Sequence, residues 1–354
     1  MRALATIDRA ALAHNLERVR ALAPGCEVYA AVKADGYGHG AATVANALAA
    51  ADGFAVSSLD EAMQLRWSGI TQPIMTLSQP LDVDACALAA AHDVRPVVFD
   101  RTHLAALADY VGPVLSVWIK LDSGMHRLGF APGEAAAVAA HLREMRHVHC
   151  VGWLTHLGCA DDPSNPMTER QLAAFARGTA EHDGQRSIAN SAGVLAWPAA
   201  HADVVRPGIM LYGSSPMVDA TAADHDLRPA MHLTAPIISR RRVVAGEPIG
   251  YGATWRAPED MDVGVIGIGY GDGYPRHAPS GTPVLVRGVR AALVGRVSMD
   301  MITVDLRAVP EAGVGDRVTL WGPGLPADEV AAAAGTIAYE LFCRLTARVS
   351  VEIV

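Results

Sequence analysis

Short apolar runs alternate with alanine-rich segments of helical periodicity through the first part of the chain. Apolar runs of this length, bounded by turn residues, predict strands, and the segments between them predict helices. The predicted strands are 28–32, 54–57, 74–77, 95–99, 114–121, 148–154, 186–189 and 204–205. Predicted helices include 41–50, 60–67, 101–109, 134–143 and 168–176. About eight such repeats within roughly 200 residues favour an α/β fold of the closed (β/α)8 type, with an open doubly wound sheet as the alternative.

The two ends of the chain follow a different pattern. A short apolar run at 4–7 predicts a strand, and Asp8 predicts the N-cap of the helix that follows. Beyond about Gly213, β-rich runs alternate with glycine and proline turns, and one helix is predicted near 337–344. The β-rich runs are 236–244, 263–268, 283–286, 291–294, 302–304 and 317–320. This part of the sequence therefore predicts a mainly β C-terminal domain.

The length and composition of the chain fit a two-domain enzyme. It has 354 residues, of which 51% are apolar and 19% charged. That length exceeds the size at which a single core usually stops growing. We therefore expect residues 1–8 to form a strand that joins the C-terminal domain, residues 9–220 to form the barrel, and residues 221–354 to form the β domain.

Charge and hydropathy exclude several classes of partner. The net charge is −8 and no run of Lys and Arg occurs, which argues against a nucleic-acid partner. No apolar stretch approaches the roughly 18 residues of a membrane-spanning helix, and Asp8 and Arg9 interrupt the start before a signal-peptide core could form. We therefore expect a cytoplasmic protein with no membrane partner. Five scattered cysteines without a C-x-x-C pair suggest neither disulfides nor a metal site.

Reactive side chains follow several of the predicted barrel strands, where the loops of a (β/α)8 barrel build an active site. They are Lys33, Lys120, His156, Asn190, Ser191 and Arg206. A lysine at such a place is costly to bury charged, so burial lowers its pKa, as an imine-forming lysine requires. The alternative is that Lys33 merely pairs with Asp35 beside a glycine-rich turn.

Two segments after the last barrel strands predict a phosphate site. Residues 189–193 read ANSAG and residues 206–213 read RPGIMLYG, which together supply a hydroxyl, small residues and backbone N–H groups. A phosphate next to an imine-forming lysine suggests pyridoxal phosphate. The glycine strings at 36–40 and 267–275 lack the G-x-G-x-x-G spacing, so a Rossmann dinucleotide site is not expected.

In combination these motifs are specific, and the sequence resembles bacterial alanine racemases over essentially its whole length. The matching segments are AVKADGYGHG (31–40), KLDSGMHRLGF (120–130), THLGCAD (155–161), ANSAG (189–193), RPGIMLYG (206–213), GYGATW (250–255), IGYGDGYPR (268–276), GRVSMDM (295–301) and YELFCRL (339–345). The resemblance implies a pyridoxal 5'-phosphate barrel followed by a β domain. It also implies a head-to-tail homodimer, in which the barrel of one subunit and the β domain of the other share each active site.

The resemblance implies a role for each matching barrel residue. Lys33 carries the cofactor as an imine, Arg206 faces the pyridine nitrogen, His156 supports Arg206, and Arg127 approaches the phenolic oxygen and the substrate. Lys120 matches a lysine that is often carbamylated and braces Arg127; the alternative is a simple salt-bridged barrel lysine. The residues implied around the phosphate and the rest of the cofactor are Tyr37, Asn190, Ser191, Gly208, Ile209 and Tyr339.

Three residues of the β domain are implied to act in the partner subunit's site. Tyr251 is the second catalytic base, the N–H of Met299 receives the substrate carboxylate, and Tyr270 lines the entrance. Racemisation needs proton transfer on both faces of a planar intermediate, and Lys33 and Tyr251 would be the two bases. Because a free tyrosine has a pKa of about 10, Tyr251 needs positive neighbours, for which the His156 and Arg206 pair is the candidate.

The expected reaction is the interconversion of L- and D-alanine, for peptidoglycan precursors or for D-alanine breakdown. A racemase of broader specificity is an alternative that depends on pocket side chains. A barrel-type decarboxylase would pair the pyridine nitrogen with an acid, and here Arg206 stands in that place. A non-enzymatic pyridoxal-phosphate carrier would need the barrel alone, and the GYGATW segment of the β domain argues against it.

Overall fold

A computed structural model describes residues 3–354 of the chain. The described residues divide into two compact units. The first contains residues 3–12, 212–214 and 227–354, and the second contains residues 13–211 and 215–226. No helix within residues 3–354 is both long enough and apolar enough to cross a membrane. The domain boundaries expected from the sequence, at residues 8 and 220, stay a prediction.

The second unit contains a closed parallel barrel of eight strands, with each strand paired to the next in chain order. The first strand, β1 (Leu4–Ile7), lies outside it. The barrel strands are β2 (Glu27–Ala31), β3 (Gly53–Val56), β4 (Ile74–Thr76), β5 (Val94–Val98), β6 (Leu115–Lys120), β7 (Val148–Leu154), β8 (Gln185–Ser187) and β9 (Val204–Val205). The barrel closes through β2 and β9, where Glu27 pairs with Val204 and Val28 with Val205. The predicted (β/α)8 barrel is therefore confirmed, and the open doubly wound sheet is excluded.

Helices alternate with these strands along the chain. They are α1 (Arg9–Leu22), α2 (Lys33–Gly38), α3 (Ala41–Ala47), α4 (Leu59–Trp67), α5 (Val83–Ala91), α6 (Arg101–Asp109), α7 (Ala135–Arg143), α8 (Met167–Thr179) and α9 (Ser191–Ala196). Several begin at a side-chain cap, as the sequence predicts for Asp8, whose Oδ1 accepts the Ala11 N–H at 3.0 Å. Ser58 and Asp82 cap α4 and α5 in the same way.

The interior of the barrel is a packed core. Its buried members are Tyr29, Met75, Val97, Trp118, Leu154 and Val204, one from each of six strands. The rings of Tyr29 and Trp118 meet edge to face with centroids 6.4 Å apart. A filled interior leaves the ends of the strands as the place for chemistry, as in other barrels of this type.

The first unit is mainly β. Its strands are β1 (Leu4–Ile7), β10 (Met231–Val243), β11 (Pro248–Ile249), β12 (Trp255–Arg256), β13 (Met261–Ile266), β14 (Pro283–Val286), β15 (Val289–Ala292), β16 (Ile302–Asp305), β17 (Arg317–Trp321) and β18 (Ser350–Ile353). Strand β1 lies between β10, to which it is antiparallel, and β18, to which it is parallel. The predicted β C-terminal domain is therefore confirmed as a class.

Two features of the structure differ from the sequence expectations. Two helices, α10 (Ala327–Ala333) and α11 (Ala338–Cys343), precede the final strand β18, where the sequence predicted that one helix near 337–344 closes the domain. The sequence ADEVAAA of α10 offers too few turns and too little contrast between polar and apolar positions for a helical period to stand out. Residues 34–37 of α2 have left-handed dihedral angles, which no periodicity reveals.

Candidate active site

Four of the predicted barrel residues lie at or just after the carboxyl ends of strands. Lys33 follows β2, Lys120 ends β6, His156 follows β7 and Arg206 follows β9. In a closed parallel barrel these ends share one face, so the fold brings the four side chains towards a common site. The structure therefore provides a candidate active site at the place where the sequence predicts one.

The turn after Lys33 has an unusual backbone. Ala34, Asp35, Gly36 and Tyr37 all have φ between 52° and 61° with positive ψ, which is a left-handed turn of four residues. Left-handed geometry costs about 1–2 kcal/mol for each residue that has a Cβ, so surrounding contacts must hold this turn in place. Gly36 is the residue that adopts it most readily.

Two carboxylates hold the left-handed turn. Glu61 on α4 accepts the Ala34 N–H at 2.8 Å, and its other oxygen accepts the Ser57 N–H at 2.6 Å. Asp35 accepts the Ala41 N–H at 2.7 Å and so ties the turn to the start of α3. These contacts fix the backbone directly after Lys33.

Arg206 is buried, with 5% of its surface exposed. Its guanidinium donates to the Thr155 carbonyl at 2.6 Å, to the Ile188 carbonyl at 3.5 Å and to Ser187 Oγ. Burial lowers the pKa of Arg206 to about 10, so the side chain is still charged at neutral pH. The described contacts of Arg206 thus hold a buried cation at the barrel end through two backbone carbonyls and a hydroxyl.

Burial and neighbouring positive charges lower the pKa of Lys120 and of His156. Burial, followed by the charge of Arg206, lowers the pKa of Lys120 to about 8, and Arg127 and Lys33 add to this effect. The pKa of His156 lies well below its usual range because of burial and, after it, the charges of Arg206, Lys120, Arg127 and Lys33. His156 is therefore uncharged at neutral pH, and the positive charge that the sequence suggested for the His156 and Arg206 pair lies on Arg206.

The predicted phosphate loops meet through Ser191. Its Oγ accepts the Gly208 N–H at 2.8 Å and the Met210 N–H at 3.3 Å. A Cβ on Gly208 would lie 2.5 Å from the Tyr37 hydroxyl, so this position has no room for a side chain. Ile209, which lies between Gly208 and Met210 in the chain, is buried. The structure therefore brings Tyr37, Ser191 and the backbone of 208–210 together.

Asn190 has a structural contact in addition to its predicted role. Its Oδ1 accepts the Gly193 N–H at 2.9 Å and so caps α9. Its Nδ2 lies 3.5 Å from the Leu157 carbonyl. These contacts fix the start of the helix that carries Ser191.

Polar residues that the sequence analysis did not single out support the site. Gln171 on α8 is buried, accepts the Gly158 N–H at 2.8 Å and donates to the His156 carbonyl at 2.9 Å. Ser123 and Thr155 share a hydroxyl–hydroxyl hydrogen bond of 2.8 Å. In the sequence, Thr168, Gln171 and Phe175 are spaced as one face of a helix, and in the structure that face of α8 is buried. Polar residues on such a face are the signal that could have found Gln171.

A groove of about 670 Å³ lies elsewhere on the barrel unit. Residues of α7, β7 and the 181–184 segment line it, including His149 and His182. None of the predicted site residues borders it.

The remaining predicted residues lie in the β unit. Tyr251, Met299 and Tyr270 expose 68%, 52% and 37% of their surface, and Tyr339 on α11 is half-buried. The backbone joins two of them, because the Tyr270 N–H donates to the Ser298 carbonyl at 3.0 Å. The β unit thus holds Tyr270 and the segment of Met299 side by side.

Glycines shape the turn that carries Tyr251. Gly250 and Gly252 have φ of 76° and 75°, in the region that favours glycine. A Cβ on Gly252 would lie 3.1 Å from Arg296 Nη1, and one on Gly295 would lie 2.8 Å from the Ile249 carbonyl oxygen. The Tyr251 turn therefore packs closely on residues 295–296.

Family models match both units of the chain. A model described as the alanine racemase N-terminal domain matches residues 7–216, and one described as the C-terminal domain matches residues 230–353. The chain belongs to the alanine racemase family. The resemblance carried by the nine sequence segments is therefore confirmed.

Individual relatives in the alanine racemase family match nearly the full chain. An alanine racemase of Halorhodospira halophila is 52% identical over 353 residues, which cover 99% of this chain and 97% of the relative. One of Nitrosococcus oceani is 51% identical over 347 residues, covering 98% and 97% of the two chains. Both units are therefore shared with these relatives.

Solved alanine racemases have the same fold. The biosynthetic alanine racemase from Pseudomonas aeruginosa superposes with a TM-score of 0.96 at 48% identity, covering 100% of this chain and 99% of the other. The enzyme from Acinetobacter baumannii gives a TM-score of 0.95 at 39% identity with full coverage of both chains.

Proposed function

We propose that this protein is an alanine racemase, an isomerase that interconverts L- and D-alanine with pyridoxal 5'-phosphate as its cofactor. The observation that carries the proposal is the group of cations at the barrel end: Lys33, Arg127 and Arg206 all lie close enough to Lys120 and His156 for their charges to lower the pKa of both. Such a group favours an anionic ligand. Membership of the alanine racemase family supports the identity of that ligand and of the substrate.

The residues present fit a phosphorylated cofactor. The hydroxyls of Ser191 and Tyr37 and the backbone of Gly208 and Ile209 line a cradle that a Cβ at Gly208 would fill, and the Gly208 and Met210 N–H groups donate to Ser191 Oγ there. Together with the neighbouring positive charge, these groups match the donors that phosphate prefers. Tyr339 and Asn190 are the other proposed contacts. When bound, pyridoxal phosphate withdraws electrons from the α-carbon of an amino acid and so makes the α-proton acidic.

The chain's own residues would divide the proton transfers between them. Lys33 Nζ would bind the cofactor and, once released, take or return the α-proton on one face, while Tyr251 Oη would do so on the opposite face. Arg206 would face the pyridine nitrogen. Because Arg206 is still charged at neutral pH, it cannot readily protonate that nitrogen, which favours proton return over side reactions.

Substrate binding is proposed to use both units. The Met299 N–H and Arg127 would bind the α-carboxylate, and Tyr270 would border the entrance. His156 would contact the Arg206 side of the site as a neutral ring, and Lys120 would brace Arg127 as a carbamate. We propose a head-to-tail homodimer that supplies Tyr251, Met299 and Tyr270 from the partner, and a cytoplasmic location.

The proposal is tested by incubating the protein with pyridoxal phosphate and L-alanine in heavy water. We expect D-alanine carrying an α-deuteron, and no such product with Lys33→Ala. Other L-amino acids run in parallel measure the breadth of specificity. If the cofactor binds, as its absorbance would show, yet neither D-alanine nor α-deuteration appears, alanine racemisation is wrong.

A further inference from the structure

Three segments of the β unit meet where Tyr270 and Met299 lie. They are the turn at 269–273, the turn at 298–301 and the C-terminal turn at 344–349. The first two carry residues with proposed roles, whereas the third has none. The contacts of the third segment therefore raise the question of what it does for the other two.

The first two turns are joined through their backbones. The Gly271 N–H donates to the Met299 carbonyl at 2.8 Å, beside the bond from the Tyr270 N–H to the Ser298 carbonyl. A Cβ on Gly271 would lie 3.0 Å from the Met299 carbonyl oxygen. A shift of either turn would therefore move the Met299 backbone.

The C-terminal turn binds the first of them from the other direction. The Thr346 N–H donates to the Asp272 carbonyl at 3.1 Å, and the Thr346 hydroxyl donates to the Gly271 carbonyl at 3.0 Å. Gly273 allows this approach, since a Cβ there would lie 2.3 Å from the Arg344 carbonyl oxygen.

One side chain of the C-terminal turn reaches both of the others. Arg348 Nε lies 3.0 Å from Asp272 Oδ1, and Nη2 donates to Asp300 Oδ1 at 2.7 Å. Asp272 is largely buried, and its other oxygen accepts the Gly269 N–H at 2.9 Å. Asp300 is the residue next to Met299. The Arg348 guanidinium thus bridges two carboxylates, one on each turn.

We propose that Arg348 is a positioning residue, which sets the Met299 N–H for the substrate carboxylate by bridging Asp272 and Asp300. This inference rests on the proposed function of Met299. The planar guanidinium presents several donors in fixed directions, so it can hold two carboxylates at once, whereas a lysine offers a single compact charge. The turn at 298–301 needs such a tie, because Met299 and Met301 are both exposed.

The experiment compares alanine kinetics of Arg348→Ala and Arg348→Lys with the wild type. Arg348→Ala should raise KM for alanine about tenfold with kcat within about threefold, because the N–H binds a carboxylate present in both ground and transition states. Arg348→Lys should fall between the two. Asp300→Asn should raise KM by less than Arg348→Ala does. Adding Asp300→Asn to Arg348→Ala should raise KM no further, since the contact between Arg348 and Asp300 is already lost.

Arg307 provides a matched control in the same unit. Its side chain also bridges two carboxylates, Asp305 at 2.7 Å and Glu259, and its exposure of 40% is close to the 45% of Arg348. Arg307→Ala should leave KM within about twofold, as expected for a surface ion pair away from the site.

Amide hydrogen exchange tests the same idea without activity. Exchange of the Tyr270 and Gly271 amides, which donate to the Ser298 and Met299 carbonyls, should become at least about tenfold faster in Arg348→Ala, and should be unchanged in Arg307→Ala. Unchanged exchange and KM in Arg348→Ala, or an equal rise in KM in Arg307→Ala, would overturn the role of Arg348. A wild type that binds cofactor but does not racemise alanine would instead contradict the proposed function, and exchange would still report on the bridge.

Discussion

The barrel unit and the β unit present their functional side chains in opposite ways. Arg206 and Lys120 in the barrel are 5% and 8% exposed, and a dense set of hydrogen bonds surrounds Arg206. Tyr251 and Met299 in the β unit are 68% and 52% exposed and are carried by short turns. The barrel unit keeps its charged side chains buried, whereas the β unit holds its functional residues in place through the backbone of short turns.

The difference has a physical cause. Burial itself, followed by the charge of Arg206, lowers the pKa of Lys120 to about 8 and keeps His156 neutral. In the proposed dimer the barrel of one subunit would place these charges beside the exposed Tyr251 of the other. The barrel therefore holds the buried charges, and the β unit places Tyr251, the proposed second base.

The largest expected effect is on activity when Tyr251 is changed to Phe. Loss of one general base should lower kcat for racemisation about 10²- to 10⁴-fold. The free energy of unfolding should change by less than about 0.5 kcal/mol, because the side chain is mostly exposed. Steady-state kinetics and denaturant unfolding measure the two quantities. If the free energy of unfolding fell as much as it does for a buried residue, the contrast between buried barrel residues and exposed β-unit residues would be wrong.

A smaller effect, but on stability, is expected when Gln171 is changed to Leu. The Gly158 N–H and the His156 carbonyl would lose their partner inside the barrel unit. Unsatisfied buried groups of this kind cost about 1–3 kcal/mol in the free energy of unfolding. Arg170→Leu on the exposed face of the same helix is the control, and it should stay within about 0.5 kcal/mol. Equal effects of the two substitutions would contradict the supporting role of Gln171.

The smallest effect concerns the protonation of Lys120. With its pKa lowered to about 8, the amine is mostly charged at pH 6 and mostly neutral at pH 9. Only the neutral amine can react with carbon dioxide to form a carbamate. Carbon-13 NMR with labelled bicarbonate should therefore show a carbamate signal at pH 9 that weakens towards pH 6 and is missing in Lys120→Gln. A signal that does not change with pH, or that survives the substitution, would contradict the assignment.

The sequence predicts which residues stand at the ends of the barrel strands, because strands can be read from apolar runs. Lys33, Lys120 and Arg206 stand next to such runs, and a parallel barrel necessarily collects strand ends on one face. The capping role of Asp8 is equally local, and it is confirmed. Local patterns therefore suffice where the fold itself brings the residues together.

Other features depend on contacts that no local pattern contains. The left-handed turn after Lys33 exists because Glu61 and Asp35 hold it, and α10 is too short to show a period. Nothing in the sequence distinguishes Arg348 from other charged residues, because its two partners, Asp272 and Asp300, are far from it along the chain. The role of each proposed catalytic residue stays a prediction until it is measured.

The most direct test of the account mixes two inactive variants. Lys33→Ala lacks one of the two proposed bases, and Tyr251→Phe lacks the other. In a mixed head-to-tail dimer, one of the two sites would combine an intact barrel with an intact β domain. Random exchange of equal amounts should therefore restore about a quarter of wild-type activity, since half the dimers are mixed and each has one good site. If subunit exchange is demonstrated and activity does not return, the two bases do not come from different subunits, and the shared site is wrong.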